Sequence, residues 1–212
     1  MTETGDRAAI LARLRAGTAS APPVNHAHPA PAPDPAAPAI GFRTLADGRP
    51  LSELFIAAAT ASAARVGMAI ADVVAEHGIR TAVATAEPEV TGVVADLVAL
   101  GVTVGDAGDR DAAVSADLGV TACRAAVAVT GSVVLGSDVP GARWASLLPR
   151  VHLCVVPVDR IVATPGDILR RLSQPQLPAA LCFITGPSRT GDIEQLLTLG
   201  VHGPLALHLL LC

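Results

Sequence analysis

Residues 151–167 read VHLCVVPVDRIVATPGD, a mostly apolar run followed by a turn and the start of a helix. The run 151–158 is strand-sized and has no alternating polar positions, which is typical of a strand buried on both faces. Thr164 suits the N-cap of the next helix, Pro165 its first position, and Asp167 the carboxylate of a capping box. A buried strand that leads into a helix predicts an α/β fold.

Outward from this segment, short apolar runs alternate with helical patterns along 51–212. The predicted helices are 51–63, 70–77, 89–100 and the segment that begins at Thr164. The predicted strands are 64–68, 81–85, 102–104, 116–120, 125–129, 133–135, 151–158, 179–185 and 205–211. This alternation favours a mostly parallel sheet flanked by helices.

Composition divides the chain into three parts. Residues 1–17 contain a predicted short helix, 18–50 form a linker rich in proline and alanine, and 51–212 form the α/β domain. Proline lacks an amide donor, so the linker should be extended. Its two histidines, His26 and His28, have no further ligands nearby in sequence, and we predict a solvated loop there and no metal site.

The chain contains no lysine and no tyrosine. All fifteen basic residues are arginine, against nineteen acidic ones, and the formal net charge is −4. Without lysine there can be no P-loop and no Schiff base on the protein. The negative charge and the 2 % aromatic content argue against a nucleic-acid binder. No segment approaches the roughly 18 apolar residues of a membrane span, and the N-terminus is too polar for a signal peptide, so we expect a cytoplasmic protein.

The four cysteines, at positions 123, 154, 182 and 212, lie far apart and form no CxxC pair. We therefore predict neither a zinc site nor an iron–sulfur cluster, and no cofactor, in this chain. Cys154 and Cys182 lie inside apolar runs, where a free cysteine usually packs as a small hydrophobic residue.

The best candidate for chemistry is the segment 181–194, LCFITGPSRTGDIE, in which an apolar strand is followed by a polar loop. Ligands of open α/β sheets bind beyond the carboxyl ends of strands. The loop offers backbone N–H groups, hydroxyls and a guanidinium, which suit a carboxylate or a phosphate. Serine, threonine and aspartate are also ordinary helix caps, so both interpretations stay open.

Two other glycine turns are weaker candidates. The turn at 130–132 is by itself a hairpin connection, and it gains interest only if it faces the loop in 181–194. In the turn at 200–204, His202 can act as acid, base or ligand, or be structural. Four residues around 146–149 could line one cleft together with these loops or face water: Arg143, Trp144, Arg150 and His152. No GxSxG or GxGxxG motif is present, so the residues by themselves define no mechanism.

In order and spacing, four segments resemble the LUD-domain family, and within it the lactate utilization protein C group. They are TGSVVL at 130–135, SLLPRVH at 146–152, ITGPSRTGDIE at 184–194, and GVHGP at 200–204 together with His208. The resemblance covers roughly 51–212. It implies a fold like that of the sugar-phosphate isomerase and CoA-transferase superfamily. It also implies a part in the oxidation of L-lactate to pyruvate, together with partner proteins that carry iron–sulfur clusters.

The resemblance also implies a set of residues that bind a small carboxylate or phosphate. Position by position they are Gly131, Ser132, Gly186, Pro187, Ser188, Arg189, Thr190, Asp192, Glu194, His202, Gly203 and Pro204. One segment departs from the family: relatives often carry Glu-Thr-Gly-Thr where this chain has VTGS at 129–132. A step that depends on that acidic side chain is either absent here or performed differently. The resemblance implies no catalytic residue.

Three functions are compatible with these observations. The first is a non-redox subunit of an L-lactate-oxidising system that binds a small anion, and it predicts that Arg189 and His202 face one cleft. The second is a stand-alone enzyme of the same superfold that acts on a sugar phosphate, a CoA ester or a folate. The third is a non-catalytic scaffold with a broad apolar surface patch.

Overall fold

The computed structural model describes residue 12 and residues 48–171, 178–190, 198–199 and 203–212. Nearly all of the predicted N-terminal helix and linker lies outside these residues, as do Asp192, Glu194 and His202. The division at residues 17 and 50 therefore stays a prediction. The first helix of the α/β region begins at Leu51.

Helices and strands alternate along the described part of the chain. The helices are α1 (Leu51–Ala61), α2 (Ile70–His77), α3 (Thr91–Ala99), α4 (Arg110–Ser115), α5 (Ala142–Leu147) and α6 (Pro165–Arg171), with 3-10 turns at Pro88–Val90 and Val158–Arg160. The strands are β1 (Arg65–Val66), β2 (Thr81–Ala84), β3 (Thr103–Asp106), β4 (Leu118–Ala122), β5 (Ala125–Val127), β6 (Ser132–Gly136), β7 (Val151–Val156), β8 (Ile161–Val162), β9 (Leu181–Ile184), β10 (Arg189–Thr190), β11 (Thr198–Leu199) and β12 (Ala206–Leu211).

The main sheet of the described residues has six strands, all parallel, in the order β1-β12-β7-β4-β2-β3. Every residue of β7 is buried. Its side chains alternate between two cores: Leu153 and Val155 pack with α2 and α3, while Cys154 and Val156 pack with α1. The apolar run that predicted a strand covered on both faces is therefore confirmed, and the fold is α/β with a mostly parallel sheet.

A second sheet packs on the α1 side of the main sheet. Its order in the described residues is β8-β5-β6-β9, with β5–β6 and β6–β9 antiparallel and β8–β5 parallel. Alternate residues of β5 and β6 face the core that contains α1, and the others face a smaller core that includes Ile168 of α6. The strand before the loop in 181–194 thus belongs to this second sheet and not to the parallel one.

The start of α6 follows the sequence pattern. The backbone N–H and the hydroxyl of Thr164 both donate to Oδ2 of Asp167, at 2.8 Å each. The sequence patterns missed two short helices, α4 and α5. The start of α4 carried a signal, because the Asp109 side chain accepts hydrogen bonds from the N–H groups of Asp111 and Ala112 as an N-cap does.

Candidate functional site

Two of the predicted loops meet at one cavity of about 220 Å³, which we call the loop cavity. The predicted residues that line it, among those the structure describes, are Gly186, Pro187, Ser188, Gly203 and Pro204. The N–H of Ser188 donates to the carbonyl of Pro204 at 2.9 Å, which ties the two loops together. The remaining lining comes from α5, β7, β9 and β12: Ser146, Leu147, His152, Cys182, Phe183, Ile184 and Leu207.

The polar side chains in the described lining of the loop cavity are Ser146, His152 and Ser188. His152 is fully buried, and its Nε2 lies 2.9 Å from Oγ1 of Thr121. Burial lowers the pKa of His152 to about 3, so its ring is neutral at physiological pH. The hydroxyl of Ser146 donates to the carbonyl of Arg143 at 3.1 Å. On the described residues, this cavity offers hydrogen bonds to a ligand but no ion pair.

A second cavity, of about 290 Å³, lies at the carboxyl ends of β2 and β4, and we call it the edge cavity. From β2 the chain passes to β3 on one side and then returns to β4 on the other side. Ligands of open α/β sheets bind at such a reversal of strand order. The lining residues are Glu87, Ala122, Arg124, Leu135, Gly136, Asp138, Val139, Ala142 and Arg160.

Unlike the loop cavity, the edge cavity is lined by charged side chains. Oε2 of Glu87 accepts from the Thr85 hydroxyl at 2.8 Å and from the N–H of Ala122 at 3.0 Å. Arg124 pairs with Asp138, while Arg160 pairs with Glu89 outside the lining. Sequence patterns missed this site, although an acidic and a basic residue shortly after two parallel strands were a usable signal.

A family model of the LUD domain matches residues 54–212, well over half of the chain. The chain belongs to the LUD-domain family. It is similar to proteins named lactate utilization protein C from Shouchella clausii (strain KSM-K16), at 39 % identity over 94 residues, and from Bacillus subtilis (strain 168), at 38 % over 95 residues. These matches cover 42 % of this chain and 41 % and 40 % of the relatives, so they span about two fifths of those proteins.

One solved structure is also similar to this LUD domain. It is a DUF162 family protein from Deinococcus radiodurans, 23 % identical, with a TM-score of 0.38, and the match covers 67 % of this chain and 93 % of that one.

Two glycines of the predicted site pack against the end of α1. Gly131 and Gly186 have φ angles of +65° and +74°. A Cβ atom at Gly131 would lie 2.2 Å from the backbone nitrogen of Ala59, and one at Gly186 would lie 2.0 Å from the carbonyl oxygen of Ser62. These contacts leave no room for a side chain. Both glycines therefore have a packing role that needs no ligand.

Ser132 lies between the hairpin turn and the loop. Its hydroxyl is 2.7 Å from that of Thr130 and 2.6 Å from that of Thr185. The pairing of β6 with β9 thus brings the 130–132 turn beside the strand that enters the loop. Ser132 is buried and is not among the described residues that line the loop cavity.

Arg189 lies in β10, and its exposed guanidinium donates to the carbonyl of Ser62 at 3.3 Å. It is not among the described residues that line the loop cavity. The backbone of Thr190 pairs with Thr198 of β11. Since His202 lies outside the described residues, a cleft shared by Arg189 and His202 stays a prediction.

The four residues that flank 146–149 in sequence separate in the structure. His152 lines the loop cavity, whereas Arg143 and Trp144 line a third pocket, of about 230 Å³. Arg150 donates to the carbonyl of His77 at 2.7 Å and pairs with Asp117 at 3.4 Å. No helix in the part of the chain that the structure describes is both long enough and apolar enough to cross a bilayer.

Proposed function

We propose that this LUD domain is a non-redox component of a lactate utilization system and acts with iron–sulfur proteins in the oxidation of L-lactate to pyruvate. The observation that carries the proposal is the similarity to relatives named lactate utilization protein C, at 38–39 % identity over 94–95 residues. The spacing of the four cysteines, without a CxxC pair, supports the assignment of the iron–sulfur clusters to partner proteins.

We further propose that the domain binds a small anionic ligand. Support comes from the two cavities, each of a size that suits a small molecule rather than a large cofactor. The sequence patterns predict the loop cavity as the site. With no lysine in the chain, arginine is the side chain that can supply a permanent positive charge to an anion, and neutral N–H and O–H donors can add hydrogen bonds.

Reconstitution tests the role in lactate oxidation. Iron–sulfur lactate-oxidising proteins from the same cells would be assayed for lactate-dependent reduction of an acceptor, with and without the full chain. We expect the rate to fall at least tenfold when the chain is omitted and to return when it is added back. A full rate in its absence would overturn the proposal. Turnover of a sugar phosphate or a CoA ester by the isolated chain would instead establish a stand-alone enzyme.

A further inference from the structure

We propose that the edge cavity is a binding site for a small 2-hydroxycarboxylate. Arg124 and Arg160 would bind the carboxylate, and Glu87 would accept a hydrogen bond from the hydroxyl. The choice of ligand class rests on the proposed function. The choice of cavity rests on the position and charges of these residues.

The cavity lies where the order of strands in the main sheet reverses. Glu87 follows β2, Ala122 is the last residue of β4, and Arg124 comes two residues after it. All three therefore lie at the carboxyl edge of neighbouring parallel strands. Parallel strands point their carboxyl ends at the same edge, and after that edge β2 is followed by β3 of the same sheet, whereas β4 is followed by β5 of the second sheet. A reversal of strand order of this kind is where open α/β sheets form ligand-binding crevices.

Glu87 is held in place by one of its two oxygens. Oε2 takes the hydrogen bonds from the Thr85 hydroxyl and the Ala122 N–H, and Thr85 is itself buried. Among the described residues Oε1 has no hydrogen-bond partner, so it is available as an acceptor. A carboxylate that is already fixed loses little side-chain entropy when a ligand hydroxyl binds to it.

Both arginines keep unused donors. A guanidinium has five N–H groups. In the described residues Arg124 uses Nη1 to pair with Asp138, and Arg160 donates from Nη1 to the carbonyl of Cys123 at 3.0 Å and from Nη2 to Glu89. Their side chains are 38 % and 35 % exposed and both line the cavity, so we assign their remaining N–H groups to the ligand carboxylate.

The pair of Arg124 and Asp138 can give way to a ligand. The side chain of Asp138 is 46 % exposed, and exposed ion pairs contribute little to stability. Asp138 therefore competes with the ligand for Arg124 without blocking the site. Gly136 lies against this pair, because a Cβ there would be 2.0 Å from Oδ1 of Asp138.

The loop cavity has no charged side chain in its described lining, so the edge cavity is the better site for a carboxylate.

The test is an NMR titration of the full chain with L-lactate and with propionate, which lacks the hydroxyl. We expect Arg124→Gln to weaken L-lactate binding at least tenfold. Glu87→Gln should weaken L-lactate but not propionate, because it removes the anionic acceptor for the hydroxyl. Asp138→Asn should strengthen binding about threefold by releasing Arg124 from its competitor. If Arg124 served only the fold, Asp138→Asn would not increase the affinity for L-lactate.

The matched control is Arg65→Gln, which removes the same charge from an exposed pair with Glu76 outside the cavity lining. It should leave L-lactate binding unchanged, and thermal unfolding would verify that each variant folds. Binding that survives Arg124→Gln but is lost in Ser188→Ala would place the ligand in the loop cavity and overturn this inference, while the proposed function stands. A different pair of results would overturn the proposed function and support the site. In that case Arg124→Gln abolishes L-lactate binding, but the wild-type chain has no effect on the reconstituted oxidation.

Discussion

The Nε2 atoms of His77 and His208 lie 2.9 Å apart, where the end of α2 meets β12. His208 is 2 % exposed, and its Nδ1 is the one buried side-chain polar atom in the described residues without a hydrogen-bond partner. Burial, with smaller effects from His77 and Arg65, lowers the pKa of His208 to about 4, and Glu76 opposes this shift. The ring of His208 is therefore neutral at pH 7.

Acid should destabilise the protein at pH values well above those at which its carboxylates are protonated. His152 and His208 take up protons only near pH 3 and pH 4 when folded, but near pH 6.5 when unfolded. Their contribution to stability is complete above pH 6.5 and is lost as the pH falls towards the folded pKa values. We expect the free energy of unfolding to drop by roughly 5 kcal/mol between pH 7 and pH 4.5, with similar shares from the two histidines, measured by urea denaturation.

The variant His152→Gln separates this effect from general acid sensitivity. Glutamine has no proton to gain, so the variant should lose about half of the pH dependence between pH 6.5 and pH 4.5 whatever its absolute stability. A wild-type stability that stays level over this range would contradict the prediction.

Gly186→Ala should destabilise the domain by about 3 kcal/mol or more, because the new Cβ meets the Ser62 carbonyl at 2.0 Å in a left-handed backbone conformation. Gly78→Ala is the matched control. Gly78 also has a positive φ, of +59°, but no atom lies within 4 Å of the place that a Cβ would take, so only the conformational cost of about 1 kcal/mol applies. Equal losses in the two variants, measured by chemical denaturation, would show that contact with α1 is unimportant.

Ser132→Ala should lower stability by about 1 kcal/mol through loss of its contacts with the Thr130 and Thr185 hydroxyls. It should leave L-lactate affinity unchanged, since Ser132 lines neither cavity in the described residues. Calorimetry and NMR titration of the same preparation would measure both quantities. A large loss of affinity without a loss of stability would make Ser132 a ligand-binding residue after all.

Asp167→Ala should cost about 1 kcal/mol, because the carboxylate accepts from both the N–H and the hydroxyl of Thr164 at the start of α6. Asp167→Asn retains an acceptor oxygen and should cost less. The comparison is made by thermal denaturation at pH 7, and identical melting temperatures for wild type and Asp167→Ala would refute the capping role.

Much of the fold could be predicted because the signals for single elements are local. The helix Ile70–His77 agrees with its predicted bounds, and β7 and β12 differ from theirs by one or two residues. Hydrophobic runs and capping residues act within a few positions of one another. The pairing of the strands could not be predicted, because an apolar run indicates how many faces of a strand are buried and not which strand lies beside it. β9 was therefore not assigned to the second sheet.

The candidate site was predictable only in part. Sequence patterns singled out two separate loops, and the structure places Gly186, Pro187, Ser188, Gly203 and Pro204 of these loops at the loop cavity. The patterns did not find the edge cavity, whose charged residues Glu87, Arg124 and Arg160 come from three separate connections. They also could not distinguish a glycine that packs from a glycine that binds. The packing role of Gly131 and Gly186 depends on the position of α1, far away in sequence.

By itself the sequence determined the α/β class, the strand Val151–Val156 with the capped helix after it, and the family to which the chain belongs. Only the tertiary structure decided which loops share a cavity and which charges meet at the edge of the sheet. The physical reason is the range of the interactions. Burial and capping depend on neighbours in sequence, whereas contacts such as that between His77 and His208 join segments 131 residues apart, which approach each other only when β12 enters the sheet.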